Sequence, residues 1–469
     1  PALSAAGRVA LNDEQRGAVE AALRNRLTLI QGPPGTGKSQ VAVAIIMAWL
    51  QQDPDAPILV ATGTHTAKNL IARRLRELGV QLSERRHLLQ KKRPPWAEDA
   101  EPVYVETVYM AAVPEDRRLS RVLIDESTQI AESAALIALG QGCEQLVLIG
   151  DPQQLGPVSN LAFYSFMQSP EIPPDAAACE RAPYELERMS IFEQLQQRHC
   201  LTPVHLKVQY RMDPRICSYP SKRFYNGELI DAEGVSSSDV PEEFPLPRES
   251  YTSVTGDPKH PVWFVDTSFL KDKQEEGVPR LGRVSLRNRL EAAIILYIVQ
   301  SLAELGIPEE EVGILSAYGA QHDYLFEVIH EQPAQAGRQW QQRANKALLQ
   351  GADAQEEDEP HPRVSTIDGY QGCEADFIVF SATRSNDDGQ TGFVGDRRRM
   401  CVLLTRARRG LIIVGDAATL RRDDEWQCWL ADAPKHHVHF SQEVAEWACE
   451  EAALRRTEMV ASDHSSLLK

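Results

Sequence analysis

RLTLIQGPPGTGKSQVAVAIIMAWL, at residues 26–50, predicts a strand, a glycine-rich turn and a helix in that order. The apolar run at residues 27–30 is typical of a strand buried on both faces, and the mostly apolar residues 41–50 favour a helix. The turn at residues 32–39 fits the pattern G-x-x-x-x-G-K-[ST], whose glycines let successive backbone N–H groups surround a phosphate chain. A surface turn rich in glycine and proline is the alternative, which the flanking strand and helix disfavour.

The same motif gives each of its residues a role. Lys38 is expected to contact the β- and γ-phosphates of a nucleoside triphosphate, and the Ser39 hydroxyl is expected to hold Mg²⁺. Gly35, Thr36 and Gly37 complete the turn at a helix N-terminus, where the helix dipole favours negative charge. The chain is therefore predicted to bind a nucleoside triphosphate.

Two later apolar runs end in polar residues. Residues 122–126, VLIDE, are typical of a strand that delivers Asp125 to Mg²⁺ at the carboxyl edge of a sheet, and Glu126 would then activate the attacking water. Residues 146–150 predict another buried strand. In the polar turn after it, the Gln154 amide can sense a γ-phosphate or orient water.

The composition is ordinary for a globular protein. The chain has 469 residues, with 42% hydrophobic and 25% charged residues, which predicts roughly two to four domains. The net charge of -17 argues against a basic coat but is compatible with a local basic groove for nucleic acid. Eight scattered cysteines without a C-x-x-C pair favour reduced thiols in an intracellular protein, cytoplasmic or nuclear. No apolar segment is long enough to cross a bilayer, and the start at Pro1 without Met suggests an excised fragment.

Alternating apolar runs and helical segments predict an α/β fold with parallel sheets covered by helices on both faces. A second α/β sheet without a phosphate loop is expected after residue 200. The predicted domains are residues 1–200, with a small basic insertion near 80–103, residues 201–432, and a C-terminal helical tail at 433–469. Residues 83–95 form the basic run, either a solvated face or a nucleic-acid-contacting element. Loops are expected at residues 231–248 and 351–362, and surface histidines rather than metal ligands at His436, His437 and His439.

Eight ordered motifs resemble those of the superfamily 1B helicases of the up-frameshift type, the group that contains the nonsense-mediated-decay RNA helicase. The motifs extend over nearly the whole chain and are LNDEQ, GPPGTGKS, ATGTHTAKNL, DEST, GDPQQLGP, QYRMDP, STIDGYQGCEAD and LTRARRG. The resemblance implies two tandem RecA-like domains, with ATP in the cleft between them and a single strand of RNA or DNA across their top.

The resemblance also implies nucleotide contacts. Gln15 would contact the adenine edge, Tyr210 would stack on its face, and Gln154 would couple the γ-phosphate to domain closure. Glu374 would contact the nucleotide from the second domain. Taken singly, Gln15 could be a solvated helix residue and Tyr210 a core residue.

Arg211 and Arg406 are implied to be arginine fingers supplied by the second domain, although Arg406 could instead form a local salt bridge. A cation supplied in this way stabilises the charge that develops on the transferred phosphoryl group. The positions that match contacts to the nucleic-acid backbone or bases are Thr64, His65, Thr107, Tyr318 and Thr366.

The sequence departs from the family pattern at a few positions. DEST stands where DEAS or DEAA is usual and keeps both carboxylates. Cys373 replaces a basic residue, Cys401 and Leu404 replace the usual Asn and Ala, and His65 takes a position that is usually Asn. The inserted accessory domain is expected to be reduced, and the β-barrel that normally precedes the core is expected to lie upstream of Pro1.

The resulting hypothesis is an ATP- and Mg²⁺-dependent helicase or translocase on single-stranded RNA or DNA, moving 5′ to 3′. A monomer is expected, with protein regulators as further partners. The main alternative is a nucleic-acid clamp that uses ATP as a switch and unwinds little. Two further alternatives are a binding scaffold with an inactive ATPase site and a P-loop kinase or GTPase. Nothing in the sequence identifies a contact to a 2′-hydroxyl, so both RNA and DNA are kept as candidate substrates.

Overall fold

The computed structural model divides the chain into two units. The first unit comprises Pro1–Tyr210 and Glu228–Ala232, and the second comprises Arg211–Gly227 and Glu233–Lys469. The residues that the structure describes are 9–83, 103–112, 119–140, 142–157, 189–198, 201–235, 251–255, 260–269, 275–280, 283–330, 362–432 and 436–440, with Glu446 and Glu450.

The first unit is built on one parallel sheet. Its described helices are α1 (Asp13–Arg24), α2 (Lys38–Gln52), α3 (His65–Glu77), α4 (Glu132–Leu139) and α5 (Ile191–Gln197). Its described strands are β1 (Leu27–Gln31), β2 (Ile58–Thr62), β3 (Val103–Thr107), β4 (Arg121–Asp125), β5 (Gln145–Gly150), β6 (Val204–His205), β7 (Val208–Gln209) and β8 (Ile230–Asp231). The sheet order is β3-β2-β4-β5-β1-β6, and β7 pairs with β8 separately.

Helices cover both faces of this sheet. Ile30 and Val60 pack on the side of α1, α2 and α3, whereas their neighbours Leu29 and Leu59 pack with α4 and with Phe192 of α5. Because successive strand residues point to opposite faces, a strand covered on both faces must be continuously apolar. The predicted α/β class with doubly covered parallel strands is confirmed.

The second unit contains the other large sheet. Its described helices are α6 (Pro214–Phe224), α7 (Arg289–Glu304), α8 (Gly319–His330), α9 (Arg397–Leu404), α10 (Ala417–Leu420) and α11 (Asp424–Ala431). Its described strands are β9 (Tyr251–Thr255), β10 (Val262–Asp266), β11 (Glu275–Arg280), β12 (Arg283–Asn288), β13 (Val312–Ser316), β14 (Arg363–Thr366), β15 (Ala375–Ser381), β16 (Ala407–Gly415) and β17 (His436–Phe440).

The order of this sheet is β14-β13-β15-β16-β10-β17-β9, and all pairings are parallel except β17 with β9. Strands β11 and β12 form a separate antiparallel hairpin. Helices α7 and α8 cover one face, and Trp429 of α11 packs edge-on against Phe264 on the other. The second sheet is thus also enclosed on both sides.

Some element boundaries differ from the prediction. The second domain was expected from residue 201, but Val204–His205 pair in parallel with β1, so the first unit extends to Tyr210. The tail was expected to be helical from residue 433, but His436–Phe440 form a strand beside β10, where backbone groups at an open sheet edge find partners. Residues 84–95, 236–248 and 351–361 of the predicted basic run and loops lie outside the described residues.

Two further observations bear on the chain as a whole. No helix in the described ranges is long and apolar enough to cross a membrane. Cys143, Cys217, Cys373, Cys401 and Cys428, the cysteines of the described part, form no disulfide bonds.

Candidate nucleotide site and nucleic-acid interface

The phosphate-binding turn connects β1 to α2. Gly35 and Gly37 have φ angles of 75° and 83°, in the left-handed region that glycine adopts without strain. A Cβ on Gly37 would lie 2.5 Å from Gln15 Nε2, and Thr36 Oγ1 donates a hydrogen bond of 2.7 Å to the Pro33 carbonyl. The turn is therefore shaped by local geometry and by close contact with α1.

Gln15 joins α1 to this turn. The side chain is 2% exposed, and its Nε2 donates to the Thr36 carbonyl at 3.0 Å. Its Oε1 accepts from the Asn12 N–H at 3.1 Å, which completes the capping box of α1. Gln15 is therefore buried rather than a solvated helix residue, and its contact with adenine stays a prediction.

Lys38 begins α2 and extends toward the end of β4. Its Nζ donates to the Gly32 carbonyl at 2.9 Å and lies 3.7 Å from Glu126 Oε1. A Cβ on Gly32 would lie 2.5 Å from Lys38 Cγ, so the lysine chain passes directly over that glycine. The predicted phosphate-binding cation and the predicted catalytic carboxylate are thus in contact.

Asp125 ends β4 and is 2% exposed. Burial first, and the neighbouring Glu126 second, raise the pKa of Asp125 to about 7, while Lys38 acts in the opposite direction. Its Oδ1 is buried and has no hydrogen-bond partner. A buried carboxylate oxygen without a partner suits a cation, because carboxylate oxygens are preferred ligands of Mg²⁺.

The Asp125 carboxylate and the Ser39 hydroxyl are oxygen donors of the kind that Mg²⁺ binds. Ser39, the second residue of α2, is partly exposed beside the turn. Among the described residues, no group of three or more His, Cys, Asp or Glu side chains could hold a metal. Mg²⁺ typically binds through one or two protein ligands together with substrate phosphates and water.

Glu126 follows Asp125 in a strained backbone conformation. Its φ of 51° is in the left-handed region, which costs a non-glycine residue on the order of 1–3 kcal/mol. The residue is buried, and its Oε2 accepts a hydrogen bond of 3.2 Å from Gln129 Nε2. Such strain at a buried carboxylate is frequent where a side chain must be aimed at a reacting group.

Gln154 lies beyond the end of the neighbouring strand β5. It is 2% exposed, and its Nε2 donates to Asp151 Oδ2 at 2.8 Å. The Asp151 N–H donates in turn to Thr128 Oγ1 at 3.2 Å, in the turn after Glu126. The amide is therefore linked to the segment that carries the two carboxylates.

Tyr210 completes this side of the first unit. Its N–H donates to the Gly35 carbonyl at 2.9 Å, and its hydroxyl accepts from Asn12 Nδ2 at 2.8 Å. The side chain is 49% exposed, so it is not a core residue. An exposed ring fixed beside the phosphate turn has the geometry that stacking on a base requires.

The carboxyl edge of the first sheet also holds the predicted nucleic-acid contacts. Thr62 of β2 is in register with Thr107 of β3 on one side and with Asp125 on the other. Thr64 caps α3 by accepting from the Ala67 N–H at 3.2 Å, and the next residue, His65, is exposed. The strand order thus places these residues along the edge that carries Asp125.

In the second unit, the predicted nucleotide contacts lie at the amino edge of the sheet. Glu374 immediately precedes β15 and Arg406 immediately precedes β16. Arg406 is 1% exposed and donates to the carbonyls of Val402 at 2.9 Å and Cys373 at 3.2 Å. Since Cys373 offers its backbone oxygen to Arg406, the replacement of the usual basic side chain leaves that contact intact.

Arg211 pairs with Glu374 through its Nε and donates from Nη1 to the Thr405 carbonyl at 3.1 Å. Glu374 is also paired with Arg408, whose Nε donates to Oε1 at 3.1 Å. Burial alone would raise the pKa of Glu374, but Arg211 and Arg408 lower it to about 2. Sequence reasoning missed Arg408, although it lies in the basic run CVLLTRARR, because nothing in that run shows which arginine faces Glu374.

The predicted nucleic-acid contacts of the second unit are at the opposite, carboxyl edge of its sheet. Tyr318 is 5% exposed, and its hydroxyl donates to the Thr391 carbonyl at 3.1 Å and accepts from Arg384 Nη1 at 3.2 Å. Its ring lies 5.7 Å from that of Phe393, which is 44% exposed. Thr366 ends β14, and its Oγ1 accepts from the Gly369 N–H at 3.1 Å.

Two sheets of parallel strands covered by helices, one of them with a phosphate-binding turn and a carboxylate at the end of a neighbouring strand, define a P-loop protein with tandem RecA-like domains. Residues 10–176 and residues 187–418 match two different family models, each described as an AAA domain.

The relatives of the chain include helicases and regulators of nonsense transcripts. Regulator of nonsense transcripts 1 of Caenorhabditis elegans is 29% identical over 90% of this chain and 40% of its own length. Putative ATP-dependent RNA helicase ECM32 of Saccharomyces cerevisiae is 27% identical over 93% of this chain and 42% of its own length. ATP-dependent helicase NAM7 of the same yeast is 29% identical over 92% of this chain and 44% of its own length. These relatives confirm the predicted resemblance to superfamily 1B helicases of the up-frameshift type.

The chain spans about two fifths of the length of these relatives. A solved arterivirus helicase in complex with DNA is 14% identical, with a TM-score of 0.40, over 87% of this chain and 63% of that one.

Proposed function

We propose that the chain is an ATP-hydrolysing motor that moves 5′ to 3′ on a single strand of nucleic acid and separates strands or remodels ribonucleoproteins. The observation that carries the proposal is the buried Asp125 carboxylate with its unpartnered Oδ1. It adjoins the Lys38–Glu126 ion pair and lies on the same sheet edge as Thr107. The carboxyl edge of the first sheet thus carries both a proposed triphosphate site and threonines proposed to contact nucleic acid. This arrangement suits an enzyme that couples ATP hydrolysis to movement along a nucleic-acid strand.

Lys38 binds the β- and γ-phosphates, and Asp125 with Ser39 holds Mg²⁺, which supplies positive charge at the phosphate oxygens. Glu126 accepts a proton from the attacking water, a role that contributes about 10²- to 10⁴-fold in rate. Tyr210 stacks on the adenine, and Gln15 contacts its edge. Gln154 senses the γ-phosphate through the segment that carries the carboxylates.

Arg211 and Arg406 supply the cations that meet the charge of the transferred phosphoryl group, and Glu374 contacts the nucleotide. Arginines in this role are worth about 10³- to 10⁵-fold in related NTPases. Support comes from their common position at the amino edge of the second sheet, where Arg211 and Arg406 are both bonded to the Thr405 segment.

Thr64, His65 and Thr107 of the first unit and Thr366 of the second hold the nucleic-acid backbone, and Tyr318 supports the exposed ring of Phe393 beneath a base. Contacts of hydroxyl and amide groups with phosphates carry no base code, so binding is independent of sequence and weakens with salt. A stacked base contributes on the order of 1–3 kcal/mol. The name of the RNA helicase relative favours RNA. Action in the cytoplasm or nucleus agrees with described cysteines that form no disulfide bonds.

The test is an ATPase assay with and without polyuridylate or single-stranded DNA, run beside unwinding of duplexes that carry a 5′ or a 3′ tail. We expect stimulation by single strands and displacement on the 5′-tailed duplex. Stimulated turnover without displacement on either duplex would support the ATP-switched clamp instead. ATP turnover that does not change when nucleic acid is added would contradict both the motor and the clamp.

A further inference from the structure

Arg408 has no role in the assignments above, yet it contacts one of the predicted nucleotide residues. Its Nε donates to Glu374 Oε1 at 3.1 Å, and its Nη2 donates to the same oxygen. Its third nitrogen, Nη1, donates to Asp376 Oδ1 at 3.3 Å. The guanidinium is therefore fixed by two carboxylates on β15 and the residue before it.

Glu374 binds a different arginine with each of its oxygens. Oε2 pairs with Arg211 Nε, while Oε1 faces Arg408. Arg211 is also held by the Thr405 carbonyl, and its side chain is only 12% exposed. The three side chains form a continuous chain, Arg211–Glu374–Arg408, within the second unit.

A backbone hydrogen bond also joins the segment after Arg211 to Arg408. The Asp213 N–H donates to the Arg408 carbonyl at 2.8 Å, and Asp213 is the N-cap of α6, two residues after Arg211. Arg408, near the start of β16, therefore binds Glu374, the side-chain partner of Arg211, and also binds the backbone that follows Arg211.

The two ion pairs of Glu374 fix the orientation of Arg211. A carboxylate bonded at only one oxygen can still rotate, whereas a guanidinium at the other oxygen fixes its plane. Arg408 is itself held by Asp376, so it holds Glu374 in one orientation against Arg211.

We propose that Arg408 is a positioning residue for Arg211: acting through Glu374, it fixes the guanidinium that meets the transferred phosphoryl group. The proposal rests on the proposed role of Arg211 in ATP hydrolysis. Displacing a charged group by about 1 Å from its working position can cost on the order of 10²-fold in rate. Loss of Arg408 should therefore slow hydrolysis without weakening nucleotide binding.

The experiment compares Arg408→Ala with Arg409→Ala at saturating polyuridylate. Arg409 is the matched control, because it is the next residue and bonds Asp376 and Glu311 but not Glu374. We expect Arg408→Ala to lower kcat about 10- to 100-fold, with the KM for ATP within about twofold of the parent. Arg408→Lys, which keeps the charge but loses the fork, should recover part of the rate. Arg409→Ala should turn over like the parent.

A double variant separates positioning from independent catalysis. If Arg408 acts through Arg211, Arg211→Ala combined with Arg408→Ala should be no slower than Arg211→Ala alone. Two outcomes would overturn the positioning role and leave the proposed function intact. In the first, the kcat losses of the two single variants multiply in the double variant. In the second, Arg408→Ala has a normal kcat while Arg211→Ala is slow. Normal kcat in Arg211→Ala would overturn both, and thermal unfolding of every variant identifies loss of fold.

Discussion

Lys38 Nζ lies 3.7 Å from Glu126 Oε1, and each side chain of this pair is only 11% exposed. The glycine-rich turn and the end of β4 are therefore joined by an ion pair. One partner is the cation proposed to bind the phosphates, and the other is the carboxylate proposed to activate water. At this burial the attraction is screened less than between surface charges. Lys38 also lowers the pKa of Asp125 against the larger, opposing effects of burial and Glu126.

Replacing Lys38 by Ala should abolish ATP turnover, because it removes the cation from the phosphates and from two adjacent carboxylates. The side chain lies over Gly32 at the beginning of a helix, so the fold should persist. Steady-state ATPase and thermal unfolding measure the two effects. Full turnover in a folded Lys38→Ala protein would refute the site.

Replacing Glu126 by Gln should leave ATP binding close to that of the parent and slow hydrolysis about 10²- to 10⁴-fold, the contribution of general-base catalysis. The amide keeps the shape of the side chain and can still accept from Gln129. Fluorescent-nucleotide binding and single-turnover hydrolysis separate the two steps. A variant that hydrolyses normally would show that another group activates the water.

Replacing Tyr210 by Ala should raise the KM for ATP about 2- to 13-fold, the loss expected when an aromatic stack worth about 0.5–1.5 kcal/mol is removed. The ring is half exposed, so the free energy of unfolding should change by only about 0.5 kcal/mol. Tyr109→Ala is the control, since that ring is 66% exposed and follows the edge strand β3. Equal KM values for the two variants would exclude stacking by Tyr210.

Glu291 gives the second unit a pH dependence. It is fully buried, and burial raises its pKa to about 8, although Ser381 Oγ and the Thr383 N–H donate to it at 2.6 and 2.7 Å. Because its pKa is higher in the folded than in the unfolded state, the folded protein binds the extra proton between about pH 4.5 and 8. Stability should therefore fall as pH rises through that range.

Glu291→Gln should flatten this fall by on the order of 1–4 kcal/mol between pH 5 and 8. Asp125, with its pKa raised to about 7, contributes in the same direction, so part of the slope should remain. Denaturant unfolding at a series of pH values measures the difference. Parallel curves for parent and variant would mean that Glu291 is ionised in the folded protein.

The departures of the structure from the sequence prediction have a common physical cause. The strands Leu27–Gln31, Arg121–Asp125 and Gln145–Gly150 were predicted to within one residue, because a buried strand is a local apolar run. The boundary after residue 200 and the strand at His436–Phe440 were not predicted, because both depend on an open sheet edge supplied by another part of the chain. Likewise, Tyr318 is buried beneath Phe393 by a loop about 75 residues further along.

The sequence by itself determined the phosphate-binding turn, the carboxylates at the end of β4 and the α/β class, since each depends on residues that are neighbours in the chain. The tertiary structure alone decided that Arg408 shares Glu374 with Arg211 and that Gln15 is bonded to Thr36. Such contacts join residues that are distant in sequence, and the order of the strands and the direction of each side chain determine which of them meet.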